Sequence, residues 1–200
     1  EYLARGHPDI RRIVSESSLH IKVVGDLAVE LMPCDRIGLP LSVTSTVSRI
    51  PTLPGNLALQ LLAAGEEVLV PFSYANRVLV IRSFEHQDPL RLMLERSLAH
   101  FLGPLSGAAV SLVDVVSVEE AELAIKGFDG GVIVFDAHGT VVNGQATLRI
   151  GNTDWNLFSS RERIRLPPIV LFSSCDASPL DGTGATLVSA ALGCGAKVVL

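Results

Sequence analysis

The sequence predicts an α/β fold in which helices flank a mostly parallel central sheet. Of its 200 residues, 48% are hydrophobic and only 5% are aromatic, and such an aliphatic composition is typical of strands buried in a parallel sheet. In the second half of the chain, aliphatic runs alternate with helical patterns. This order of strand, helix and strand indicates right-handed parallel crossovers. A chain of this length can also bury a sizeable core.

The predicted elements follow a polar N-terminal segment at residues 1–20, and residues 21–200 are expected to form one domain. Aliphatic runs predict a strand or strand pair at 21–31 and single strands at 68–70, 77–82, 109–113, 131–136, 168–172 and 197–200. Helices are predicted at 88–102, 117–126, 154–161 and 184–192. Asp88 is the expected N-cap of the first helix, with Pro89 at its first position.

One turn signal predicts a small β-hairpin. Asn143-Gly144 lies between two short apolar runs, 140–142 and 146–150, and this dipeptide favours the tight turn that joins antiparallel strands. The hairpin would come directly after His138, beside one end of the predicted sheet.

Charge and cysteine usage exclude several classes of protein. The net charge is -5 and no cluster of Lys or Arg occurs, which argues against a nucleic-acid-binding surface. No apolar run is long enough to span a membrane. Three cysteines at scattered spacing predict neither a disulfide framework nor a metal site. We therefore expect free thiols in a cytoplasmic protein that needs no cofactor.

The candidate chemistry lies where two aliphatic strands end. His138 follows the strand predicted at 131–136, and Cys175 follows the strand predicted at 168–172. Ligands and catalytic groups gather beyond the carboxyl ends of parallel strands. A cysteine becomes a nucleophile at neutral pH when a neighbouring base takes its proton. His138 and Cys175 are therefore predicted to form a catalytic dyad, with the imidazole oriented by a backbone carbonyl.

The residues around this pair suggest how a substrate would be held. The N–H groups of Gly139 and Cys175 are the predicted oxyanion hole. Residues 176–183 are the predicted substrate loop, which contains Asp176 and Asp181. These two acids, together with Asp136 and Glu85, are also the candidates for a pocket that would select Lys or Arg.

The same residues resemble a known family. Val132 to Gly139 reads VIVFDAHG, which is similar to the histidine block of the CHAT peptidases, and Ile169 to Leu200 resembles their cysteine block. The resemblance implies a caspase-like three-layer sandwich and a His–Cys dyad at His138 and Cys175. It also implies limited cleavage of a specific protein partner, with an activating sensor or repeat-domain partner in bacterial signalling or defence. Family members continue past the final strand, so we expect residues 21–200 to lack a C-terminal part of the domain.

Two other functions remain open at this point. A non-catalytic CHAT-like module would bind a protein partner through the same cleft. A nucleotide-binding or small-molecule-binding domain would use Gly182-Thr-Gly184, a glycine turn before a helix, to hold an anion. That turn lacks the Lys and Ser/Thr of a phosphate-binding loop.

Overall fold

A computed structural model describes residues 20–24, 41–50, 69–102, 107, 109–175 and 186–200. The chain divides into two compact units, Glu1–Gly65 and Glu66–Leu200. In the first unit, β1 (Ile21–Val24), the short helix α1 (Leu41–Thr44) and β2 (Val47–Ile50) are described, and the two strands pair in parallel.

The second unit is built on a five-stranded sheet in which every neighbouring pair is parallel. Its strands are β3 (Arg77–Ser83), β4 (Ala109–Asp114), β5 (Val132–Ala137), β9 (Ile169–Ser173) and β10 (Val198–Val199). They lie in the order β10-β9-β5-β3-β4. The predicted α/β class with a parallel sheet is thus confirmed.

Short helices connect the strands. They are α2 (Phe72–Ala75), α3 (Met93–Leu102), α4 (Val118–Lys126) and α5 (Leu187–Gly193). A 3-10 turn at Pro89–Leu92 leads into α3, so the helix predicted from Asp88 exists but begins with a tighter turn. None of the helices in the described part of the chain has the length and apolar character needed to cross a membrane.

Between β5 and β9, a small antiparallel sheet contains β6 (Gly139–Val142), β7 (Gln145–Ile150) and β8 (Thr153–Trp155). The predicted hairpin is confirmed, because Asn143 and Gly144 turn with φ angles of 52° and 76°. The helix predicted at 154–161 is wrong. A third strand and a 3-10 turn at Leu157–Ser160 take its place, since buried Trp155 pairs with Leu148 of β7.

The hydrophobic core covers one face of the five-stranded sheet. Phe135 of β5 stacks on Phe172 of β9 at 5.4 Å between ring centres and meets Trp155 edge-on at 6.0 Å. Helices α4 and α5 and the small sheet complete this core with Ala121, Ile125, Leu148, Ile150, Leu157, Leu187, Ala190 and Ala191. One face of the central sheet is therefore covered by packed hydrophobic side chains.

The opposite face carries an ion network around one buried arginine. Alternate residues of a strand point to opposite faces, so Arg82 lies on the other side of the sheet from Ile81 of the core. The Arg82 side chain is 6% exposed. It donates to both carboxylate oxygens of Asp114 at 2.7 and 3.0 Å and to Glu95 of α3 at 2.8 Å. This network connects α3 to the sheet, so helices lie on both faces.

Replacing Arg82 with methionine is expected to destabilise the fold by about 2–3 kcal/mol, because it removes the buried partner of two carboxylates. The Arg82 hydrogen bond holds the pKa of Asp114 below its usual value. A lowered pKa stabilises the fold above the ordinary pKa of aspartate, and this contribution disappears as the pH falls through the lowered value. We therefore expect the free energies of unfolding of wild type and Arg82→Met, measured with urea, to differ less at pH 3 than at pH 7.

The matched control is Arg77→Met on the same strand. Arg77 pairs with Asp129 at 3.1 Å, and their side chains are 43% and 81% exposed. Exposed pairs contribute below about 1 kcal/mol, so this variant should unfold close to wild type. If both variants lost the same free energy of unfolding, the burial of Arg82 would not explain its contribution to stability.

Candidate active site

The strand register brings the segments that carry His138 and Cys175 close together. Strands β5 and β9 are parallel neighbours, and Asp136 and Ser173 form the last pair of their register. His138 and Cys175 each lie two residues beyond that pair. Neighbouring strands are separated by about 4.8 Å. The structure therefore brings together the two chain segments that the sequence predicts to carry the chemistry.

The backbone of Gly139 lies against the backbone of Cys175. A Cβ atom built on Gly139 would overlap the carbonyl oxygen of Cys175 and would lie 3.5 Å from its nitrogen. No side chain fits there, so the requirement for glycine comes from close approach of two backbones. The chain segments that follow β5 and β9 therefore remain close to each other beyond the strand ends.

The N–H of Gly139 points away from the small sheet. The Arg149 N–H donates to the His138 carbonyl at 2.8 Å, which makes these two residues a hydrogen-bonded pair. Pairs alternate along an antiparallel ladder, so the next pair, Gly139 and Leu148, is not hydrogen-bonded. The Gly139 N–H is thus directed to the outer edge of β6, as an oxyanion donor would require.

The imidazole of His138 has two partners in the described part of the chain, and neither is a backbone carbonyl. Its Nε2 lies 2.6 Å from Oδ2 of Asp88, and its ring meets Phe84 edge-on, at 5.0 Å between ring centres and an angle of 87°. The His138 side chain is 48% exposed and that of Asp88 is 15% exposed. The sequence predicts that a backbone carbonyl orients the imidazole. In the structure, the carboxylate of Asp88 contacts it instead.

Sequence reasoning identified Asp88 only as a helix cap. It does cap the 3-10 turn, because its Oδ1 accepts from the Leu90 N–H at 2.8 Å. The hydrogen bond with His138, followed by that with Leu90, holds the pKa of the Asp88 carboxyl below its usual value. The sequence indicates only that Asp88 follows the aliphatic run that forms β3. That β3 neighbours β5 is known from the sheet order of the structure.

Two of the four acids proposed for substrate selection lie in the described part of the chain, and their environments differ. Asp136 is 3% exposed, and burial raises the pKa of its carboxyl despite a hydrogen bond with Ser173. Its Oδ2 has no hydrogen-bond partner among the described residues. Asp136 is thus buried, whereas Glu85 is exposed. Asp176 and Asp181 lie outside the described residues, as does the rest of the predicted substrate loop.

The cysteines in the described part of the chain differ in accessibility. Cys175 is exposed, whereas Cys194 is buried. Burial raises the pKa of the Cys194 thiol to about 11, so this thiol stays protonated and unreactive at neutral pH. Cys34 lies outside the described residues. Cys175 is therefore the accessible thiol of this region.

A cavity of about 400 Å³ adjoins Asp88. Its lining consists of His86, Gln87, Asp88, Pro89, Arg91, Leu92 and Arg96. Its lining therefore combines two arginines with the carboxylate that contacts His138.

Comparison of the chain with protein-family models and with curated proteins found no match. The described residues contain no group of three or more His, Cys, Asp or Glu side chains that could hold a metal ion. The strongest chemical feature of the second unit is therefore the combination of an exposed thiol, an imidazole bound to a carboxylate and a glycine N–H at one edge of the sheet.

Proposed function

We propose that this protein is a cysteine endopeptidase of the CHAT type, with a caspase-like fold, that makes limited cuts in a specific protein partner. One observation supports it most directly. The pairing of β5 with β9 brings the segments that carry His138 and Cys175 close together, and Gly139 lies in backbone contact with Cys175. A base, a nucleophile and a candidate oxyanion donor thus lie at the end of one strand and the end of its neighbour.

In the proposed mechanism, His138 takes the proton of the Cys175 thiol, and the thiolate attacks the carbonyl carbon of the scissile peptide bond. The oxygen of the tetrahedral intermediate is stabilised by the N–H groups of Gly139 and Cys175. His138 then gives its proton to the leaving amine, and an acyl-enzyme remains on the sulfur. Water attacks this thioester with His138 as base, which releases the carboxylic acid and restores the thiol.

A peptide probe with an electrophilic group tests this proposal. Wild type is expected to form a covalent adduct, and Cys175→Ala is expected to form none. Cys194→Ala is the matched control and should label like wild type, because Cys194 is buried. Equal labelling of wild type and Cys175→Ala would overturn the peptidase proposal.

A non-catalytic binding module is distinguished by turnover. Wild type is expected to cut members of an unbiased peptide library, alone or after addition of an activating sensor partner, whereas Cys175→Ala should cut none. A nucleotide site at Gly182-Thr-Gly184 lies outside the described residues, and titration calorimetry with nucleotides would detect it. Binding of a nucleotide without any Cys175-dependent cleavage would favour that alternative.

A further inference from the structure

The carboxylate of Asp88 binds two groups from different parts of the fold. Oδ1 accepts the Leu90 N–H at 2.8 Å, and Oδ2 contacts Nε2 of His138 at 2.6 Å. The first contact belongs to the turn that begins at Pro89, so the turn holds the carboxylate in place. The second contact reaches across 50 residues of sequence to the end of β5. Asp88 therefore links the start of a helical segment to the candidate base.

The protonation state of this pair follows from its chemistry. An ionised carboxylate has only acceptor oxygens, so a bond from Asp88 to Nε2 requires Nε2 to carry the proton. In a neutral imidazole the other ring nitrogen, Nδ1, then has the lone pair. Asp88 thereby selects the tautomer in which Nδ1 is the ring nitrogen that can accept a proton. The edge contact with Phe84 limits rotation of the same ring.

We propose that Asp88 is a positioning residue that extends the His138–Cys175 dyad to an Asp88–His138–Cys175 triad. It acts through the imidazole, by setting its tautomer and its orientation, and does not itself contact the substrate. This inference rests on the proposed peptidase function for its catalytic consequence. Its structural part, the tautomer of His138, can be measured without any substrate.

Two substitutions separate this role from capping. Serine and asparagine are both good N-cap residues, so Asp88→Ser and Asp88→Asn should keep the turn. Serine is too short to reach His138. Asparagine has one carbonyl oxygen, and if that oxygen accepts the Leu90 N–H, its NH₂ group faces Nε2. The Asp88→Asn variant would then favour the tautomer with the proton on Nδ1, which cannot act as the base.

The experiment combines nitrogen-15 NMR of the histidine rings with peptide cleavage. Wild type should show the His138 proton on Nε2, and Asp88→Asn should show it on Nδ1. Asp88→Asn is expected to lower kcat by about 10²- to 10⁴-fold with little change in KM, as expected when the wrong tautomer is held. Asp88→Ser should lower kcat by about 10- to 100-fold. Thermal melting of both variants should stay near wild type.

Asp129→Asn is the matched control, because Asp129 is exposed and pairs only with Arg77 at the surface among the contacts described. It should change neither the tautomer nor kcat. If Cys175 is required for cleavage and Asp88→Asn keeps both the wild-type tautomer and the wild-type rate, the positioning role is wrong and the peptidase stands. If Cys175→Ala cleaves like wild type, the peptidase proposal fails, whereas the NMR result still decides what Asp88 does to the imidazole.

Discussion

Replacing His138 with alanine is expected to reduce peptide cleavage by about 10³-fold or more and to leave the fold intact. Proton transfer by a positioned histidine contributes about 10²- to 10⁴-fold to a rate, and in the proposed mechanism the same imidazole also generates the thiolate. The side chain of His138 is half-exposed and is not part of the aliphatic core. The loss should therefore appear in the rate, with a melting temperature close to that of wild type.

Alkylation of Cys175 by iodoacetamide provides a second measurement that needs no substrate. His138→Ala should slow this alkylation at pH 7, because only the thiolate reacts. His20, which is exposed in the first unit, supplies the matched control, and His20→Ala should cleave and alkylate at wild-type rates. A His138→Ala variant with undiminished cleavage would show that another group acts as base.

The parallel sheet could be predicted from sequence because its strands are continuous aliphatic runs. Val132 to Phe135 and Ile169 to Phe172 are buried or partly buried along their length, as expected for parallel strands covered on both faces. The same logic placed His138 and Cys175 at one sheet edge, since each follows such a run. The strand predicted at 68–70 is wrong for Leu69 and Val70, because these two residues lie outside any strand.

Contacts between distant side chains could not be predicted in this way. The Asp88–His138 pair depends on β3 and β5 being neighbours, and strand order is a property of the whole sheet. Local preference was also misleading at 154–161, where Trp155 enters the core. Such burial outweighs the modest helix propensity of a short segment. Long-range packing therefore decides which side chain contacts His138, the candidate base. It also decides that Trp155 forms part of a third strand in the small sheet.

Replacing Gly139 with alanine is expected to lower cleavage by at least about 10²-fold and to destabilise the fold by about 1–3 kcal/mol. The new methyl group would overlap the Cys175 carbonyl oxygen, and a backbone atom cannot move aside as a flexible side chain can. The Cys175 segment or the end of β5 must shift, and forced overpacking has this cost. A shift of about 1 Å in a reacting group can reduce a rate by about 10²-fold.

Gly193 provides a matched Gly→Ala control in the same unit. It ends α5, and a Cβ atom there would meet nothing within 4 Å. Gly193→Ala should therefore keep the wild-type rate. It should also stabilise the fold slightly, by up to about 1 kcal/mol, because alanine has a higher helix propensity than glycine. Cleavage assays and urea unfolding of both variants give the comparison. A wild-type rate in Gly139→Ala would mean that the backbones of Gly139 and Cys175 do not approach each other closely, and the proposed oxyanion hole would lose its geometric basis.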